Sequence, residues 1–108
     1  MREVSEQEVL FLIDEMELGK PFGIMMYTPL CGTCKAAIRM LQVVEAMLPD
    51  AEIFQLNMNF SPRMVARYQV RSIPGLLLFD GNRRVEPLQV YEMRSVEHLF
   101  NIIKDVIR

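Results

Sequence analysis

The fold turns on one stretch, Phe22-Gly23-Ile24-Met25-Met26-Tyr27-Thr28-Pro29-Leu30-Cys31-Gly32-Thr33-Cys34-Lys35-Ala36-Ala37. Its opening residues are nearly all apolar, which predicts a strand covered on both faces from about Pro21 to Tyr27. Beyond the cysteines, Ala37, Met40, Leu41, Val44, Met47 and Leu48 recur at helical spacing until Pro49 stops them, predicting a long helix from about Cys31 to Leu48. Two cysteines therefore stand where a strand gives way to a helix. The first N–H groups of a helix are unpaired and its dipole is positive there, so an anion is stabilised. A thiolate at Cys31 gains from both effects, which raises the population available for attack. Cys34 lies one turn deeper, within reach of a mixed disulfide formed at Cys31. Gly32 leaves the approach open for a bulky substrate.

Upstream, Ser5-Glu6-Gln7-Glu8 reads as a capping box, with Val4 and Val9 placed for a hydrophobic staple. Val9, Leu12, Ile13 and Met16 continue that helix, and Gly19 is expected to end it. Downstream, Glu52 to Met58 is a strand. Ser61-Pro62 is an N-cap and first-turn proline opening a short helix through Tyr68. Leu76 to Phe79 is a strand, Asp80-Gly81-Asn82 a hairpin turn, and Arg84 to Tyr91 a strand pairing back antiparallel. Pro87 puts that last strand at the sheet edge. Ser95 caps a final helix carrying Val96, Leu99, Phe100, Ile103, Val106 and Ile107. The order predicts an α/β fold, a central mixed sheet of about four strands flanked by helices on both faces. One domain is expected over residues 1–108, with no repeat or linker.

Composition narrows the function. A net charge of −2 provides no basic field for nucleic acid. No apolar run is long enough for a membrane span. Val9 to Ile13 follows Glu3, Glu6 and Glu8, not a basic segment, so no signal peptide and a cytoplasmic location are expected. In that reducing compartment the two cysteines would not be a structural staple. Half a zinc site is the competing reading, but there is no third cysteine and only one histidine. A metal would need ligands from a second chain. His98, far along the final helix, is expected at the solvated surface. No metal or cofactor is expected.

Pro74 taken alone reads as a trans turn residue, since only about 5% of X–Pro bonds are cis in folded proteins. In context, Cys31-Gly32-Thr33-Cys34-Lys35 followed by Val70-Arg71-Ser72-Ile73-Pro74 and a Leu-Leu-Leu-Phe strand resembles the thioredoxin family over nearly the whole chain. The resemblance implies the thioredoxin fold and a cis Ile73–Pro74 bond facing the cysteines, whose backbone binds an extended substrate by strand addition. It implies Cys31 as nucleophile and Cys34 as resolving thiol, with Leu30, Gly32, Thr33, Ile73, Pro74 and Tyr91 at the substrate. Tyr91, standing where the family has a glycine near the groove, either narrows the groove, offers a stacking surface or is only an edge-strand aromatic. The expected activity is thiol–disulfide exchange on disulfide-containing proteins or low-molecular-weight thiol adducts, by a monomer recharged by a reductase. The alternative is a redox-regulated binding module without efficient turnover.

Several positions depart from the family pattern. Leu30 replaces the usual Trp and Thr33 the usual Pro. Met25 stands where a buried Asp is usual, and Gln55 where its Lys partner is usual. Losing both charges together avoids stranding one of them in the core. Thr33 and Met25 together point to a more oxidising couple than thioredoxin's.

Overall fold

The computed structural model describes residues 1–15, 20–82 and 86–107. It contains β1 (Arg2–Val4), α1 (Glu6–Asp14), β2 (Phe22–Tyr27), α2 (Gly32–Met47), β3 (Ile53–Asn57), a 3-10 turn (Met58–Phe60), α3 (Pro62–Tyr68), β4 (Gly75–Phe79), β5 (Leu88–Val90) and α4 (Val96–Ile107). The sheet has five strands in the order β1-β3-β2-β4-β5. β1, β3 and β2 run parallel, and β4 and β5 are antiparallel to their neighbours.

Strand alternation builds two cores. Phe22, Ile24 and Met26 of β2 join Phe54, Leu56, Leu77 and Phe79 on one face, under Val9 and Ile13 of α1 and Met64 and Tyr68 of α3. Met25 joins Ile53, Leu76 and Leu78 on the other, under Ala37, Leu41 and Val44 of α2 and Leu99 and Ile103 of α4. Both faces of β2 are buried, which explains its unbroken apolar sequence. Its C-terminal end delivers the chain to the cysteines.

Most expected elements lie where the sequence puts them, and the differences have physical causes. β1 is a fifth strand that the sequence pattern does not announce. It is three residues long, and only Val4 of it is buried, so it exists through its pairing with β3. The Ser5–Glu8 capping box is present, with Glu8 N–H donating to Ser5 Oγ and Ser5 N–H to Glu8 Oε1, both at 3.1 Å. Val4 and Val9 share one core cluster, as a staple requires. Met16 and Gly19, read as the end of α1, lie outside the described residues, as do Arg84 and Val85 of the last expected strand. The described part of that strand is only Leu88–Val90, at the sheet edge directly after Pro87.

Ser61 occupies the N-cap position of α3 without capping it by side chain. Its buried hydroxyl donates to the Asn57 carbonyl at 2.9 Å instead. The first turn of α3 is capped from another helix, where Glu6 Oε2 accepts the Met64 N–H at 2.8 Å. Ser95 does cap α4, accepting the His98 N–H at 3.1 Å. His98 itself is not solvated as expected. It is half-buried, and its Nδ1 is buried with no hydrogen-bond partner among the described residues.

Candidate active site

The site begins at the N-terminus of α2. Thr28-Pro29-Leu30 leaves β2, and Cys31 N–H donates to the Thr28 carbonyl at 3.2 Å, closing a turn. Cys31 is then the N-cap of α2, with extended backbone at φ −89°. Its Sγ takes the place a capping oxygen usually fills, accepting the Cys34 N–H at 3.1 Å. The helix terminus therefore points an unpaired donor and its positive dipole at this sulfur. Thr33 Oγ1 lies 3.3 Å from the same sulfur.

Cys31 and Cys34 are joined as a disulfide, with Cα atoms 5.2 Å apart. The two sulfurs are not equivalent. Cys31 is half-buried, while Cys34 is 1% exposed on the inner side of α2. A Cβ added at Gly32 would meet nothing within 4 Å, so the residue between the cysteines stands in open space. Leu30 is 97% exposed beside it.

The Ile73–Pro74 peptide is cis. Pro74 and Tyr91 share a groove of about 330 Å³ with Thr33, Ala36, Ala37 and Met40 of α2 and with Met93. Thr33, Pro74 and Tyr91, far apart in sequence, are thus brought together. Ile73 is half-buried just before Pro74, while Leu30 and Gly32 stay at the open helix end outside the groove lining. Met40 and Met93 line the groove without having been singled out for it. Met40 reads in sequence as helix-face core, and nothing local marks Met93. A larger hollow of about 560 Å³, lined by Pro21, Glu52 and Ile53, lies at the other end of β2 and β3 and holds no thiol.

The departures from the family pattern are also spatially coherent. Met25 and Gln55 face each other across the parallel β2–β3 ladder. Met25 is fully buried in the cluster containing Ala37 and Leu41 of α2, and Gln55 is half-buried. These two paired positions thus carry a thioether and an amide, neither of which ionises. On β1 and β2, Glu3 and Tyr27 do form an ionisable pair, the Glu3 carboxylate accepting the phenolic O–H. Burial, reinforced by this carboxylate, pushes the Tyr27 phenol up to about 12. No helix among the described residues is long and apolar enough to cross a membrane.

A Cys-X-X-Cys disulfide at the N-terminus of the helix that follows the central strand of this sheet is the site of a thiol–disulfide oxidoreductase. The Thioredoxin family profile matches residues 14–105. Thioredoxin-like protein YusE of Bacillus subtilis is 41% identical over 104 residues, covering 96% of this chain and 92% of that one. The bifunctional thioredoxin reductase/thioredoxin of Mycobacterium leprae is 27% identical over 105 residues, 96% of this chain and 22% of that one. Among solved structures, the oxidised form of mitochondrial thioredoxin 3 from Saccharomyces cerevisiae superimposes with a TM-score of 0.76 at 21% identity, covering 97% of this chain and 94% of that one. The chain belongs to the thioredoxin family.

Proposed function

We propose that Cys31 is the attacking thiol and Cys34 the resolving thiol in the reduction of disulfides on proteins or low-molecular-weight thiol adducts. The observation that carries this assignment is the unequal burial of the two sulfurs, with the outer one at the helix N-terminus. In the reduced protein, Cys31 thiolate attacks one sulfur of the substrate disulfide. The substrate S–S bond breaks, one substrate thiolate departs, and a mixed disulfide to Cys31 forms. Cys34 gives its proton to solvent and attacks Cys31 Sγ. The second substrate thiolate leaves, and the Cys31–Cys34 disulfide closes. The substrate gains two electrons and, from water, two protons.

The groove between Thr33, Pro74 and Tyr91 receives the segment flanking the substrate cysteine, with the backbone beside Ile73 pairing to it as an added strand. Leu30 and Gly32 form the open rim over which a protein substrate approaches. A reductase returns two electrons to the pair, a role supported by the joining of thioredoxin reductase and thioredoxin in one Mycobacterium leprae relative. The protein acts as a cytoplasmic monomer in this reading.

Cys31→Ser is expected to abolish exchange, while Cys34→Ser retains the attacking sulfur and accumulates mixed disulfides, read by mass spectrometry of trapped adducts. Trapping through Cys34 in the Cys31→Ser variant at the same level would reverse the assignment. Repeated reduction of insulin per protein molecule, with a chemical reductant supplying electrons, separates an enzyme from a binding module that reacts once.

A further inference from the structure

Tyr91 is held at both ends of its polar tip. Its hydroxyl donates to Gln89 Oε1 at 2.6 Å and accepts the Arg71 backbone N–H at 3.3 Å. Gln89 is oriented in turn, its Nε2 donating to the Tyr68 carbonyl at 2.8 Å. The ring edge is fitted to a bare backbone, since a Cβ on Gly75 would stand 3.2 Å from Tyr91 Cε1 and 3.1 Å from the Ser72 carbonyl oxygen. The ring thus takes the room that a side chain directly after Pro74 would need.

The Arg71 guanidinium lies over this fixed ring, 4.4 Å from its centroid. Arg71 is exposed and makes no ion pair among the described residues. Glu92, the acid next to Tyr91 in sequence, is engaged by Arg94 at 2.6 Å. Stacking on an aromatic face orients a guanidinium while leaving its edge N–H groups free, the fork that matches a carboxylate. Tyr91 lines the groove with Thr33 and Pro74, so the fork is carried on a ring that belongs to the groove wall. The remaining lining, from Ala36, Met40 and Met93, is apolar and carries no competing charge.

We propose that Arg71, stacked on Tyr91, is a specificity-determining residue that reads a carboxylate carried beside the substrate disulfide. This role rests on the groove assignment above. The redox step is unchanged; the carboxylate is bound and takes no part in the exchange. An acidic side chain near a protein cysteine and the carboxylate of a small thiol adduct offer the same chemistry.

Two pairs of substrates separate these sources. One is a disulfide-linked peptide with Glu or Gln at each position flanking the cysteine; the other is dithiodipropionate or its diamide. Stopped-flow oxidation of the reduced protein gives second-order rates at low and high salt. Wild type is expected to favour a carboxylate substrate about three- to fivefold at low salt, as for an exposed ion pair, and the preference shrinks at high salt. Arg71→Gln brings the ratio to about one, while Arg71→Lys keeps part of it, which a purely structural role would not do. A preference in the peptide pair alone assigns the carboxylate to protein side chains, and in the small pair alone to thiol adducts. Equal rates within both pairs, or a ratio unchanged in Arg71→Gln, overturn the carboxylate subsite while leaving the exchange mechanism standing. Failure of wild type to reduce any of the four overturns the groove assignment and the Arg71 role with it.

Discussion

Replacing Thr33 by valine keeps a branched side chain of similar shape and deletes only the hydroxyl 3.3 Å from Cys31 Sγ. In the reduced protein that O–H has a thiolate to donate to, alongside the Cys34 N–H. A hydrogen bond to a charged group contributes about 1.5–3 kcal/mol net. Thr33 is exposed, so water competes and about 1 kcal/mol is the appropriate size. For a two-electron couple about 30 mV corresponds to about 1.4 kcal/mol, so the loss lowers the potential by about 20 mV where Cys31 is ionised. The hydroxyl stabilises the reduced form, so removing it makes the couple more reducing. Thr33→Pro deletes the hydroxyl and an N–H together and is expected to fall at least as far. Met25 acts in the same direction as Thr33, because no buried carboxylate opposes the thiolate. The wild-type potential is therefore expected above the roughly −270 mV of thioredoxin, toward the glutaredoxin range of about −200 to −230 mV. Equilibration against glutathione buffers with acid quenching measures it, and iodoacetamide alkylation at fixed pH should slow in Thr33→Val. A wild-type value at or below thioredoxin's, or a Thr33→Val potential that holds or rises, refutes the reasoning.

Two further outcomes test the layers beneath the site. Met25→Asp buries a carboxylate among apolar neighbours with no cation opposite, and is expected to cost more than about 3 kcal/mol in urea unfolding at neutral pH. Burial raises that carboxyl's pKa in the folded state, so the deficit should shrink as pH falls toward the unfolded carboxyl value, and Gln55→Lys should recover part of it. A urea midpoint unchanged by Met25→Asp would contradict the buried register of β2. Tyr27 has its phenol raised from 10.0 to about 12, so the neutral phenol's contribution is full below pH 10 and is lost as pH climbs toward 12. Tyr27→Phe should lose up to about 1 kcal/mol at neutral pH and show a flatter alkaline limb, an idea defeated if both proteins fall equally steeply.

The interhelical contacts show how local and distant information divide. The capping box at Ser5 and the cap at Ser95 are readable because donor and acceptor lie three residues apart on one turn. The cap of α3 is not readable, because its acceptor is Glu6, 58 residues from Met64 in the chain. Ser61 has the right side chain in the right place, yet the tertiary structure gives that hydroxyl to Asn57. In the same way Arg67 is held by Asp14 of α1 through paired bonds of 2.8 and 2.9 Å, which no local pattern announces.

For the site, the amino-acid sequence alone determined the cysteine pair, its position between a strand buried on both faces and a long helix, and the absence of both family charges at Met25 and Gln55. These follow from periodicity and from residue identity, which act over one turn or one strand. Only the tertiary structure decided that the outer sulfur is accessible and the inner one is not, since burial depends on what packs across α2. It also decided that β1 joins the sheet, that Met25 and Gln55 meet in register, and that His98 Nδ1 is enclosed. Tyr91 is the clearest case. Its ring lines the hollow with Thr33 and Pro74, lies against the bare backbone of Gly75 and carries the guanidinium of Arg71. Such a fit depends on atoms that are brought together only after β4 and β5 have paired, so no stretch of sequence contains it.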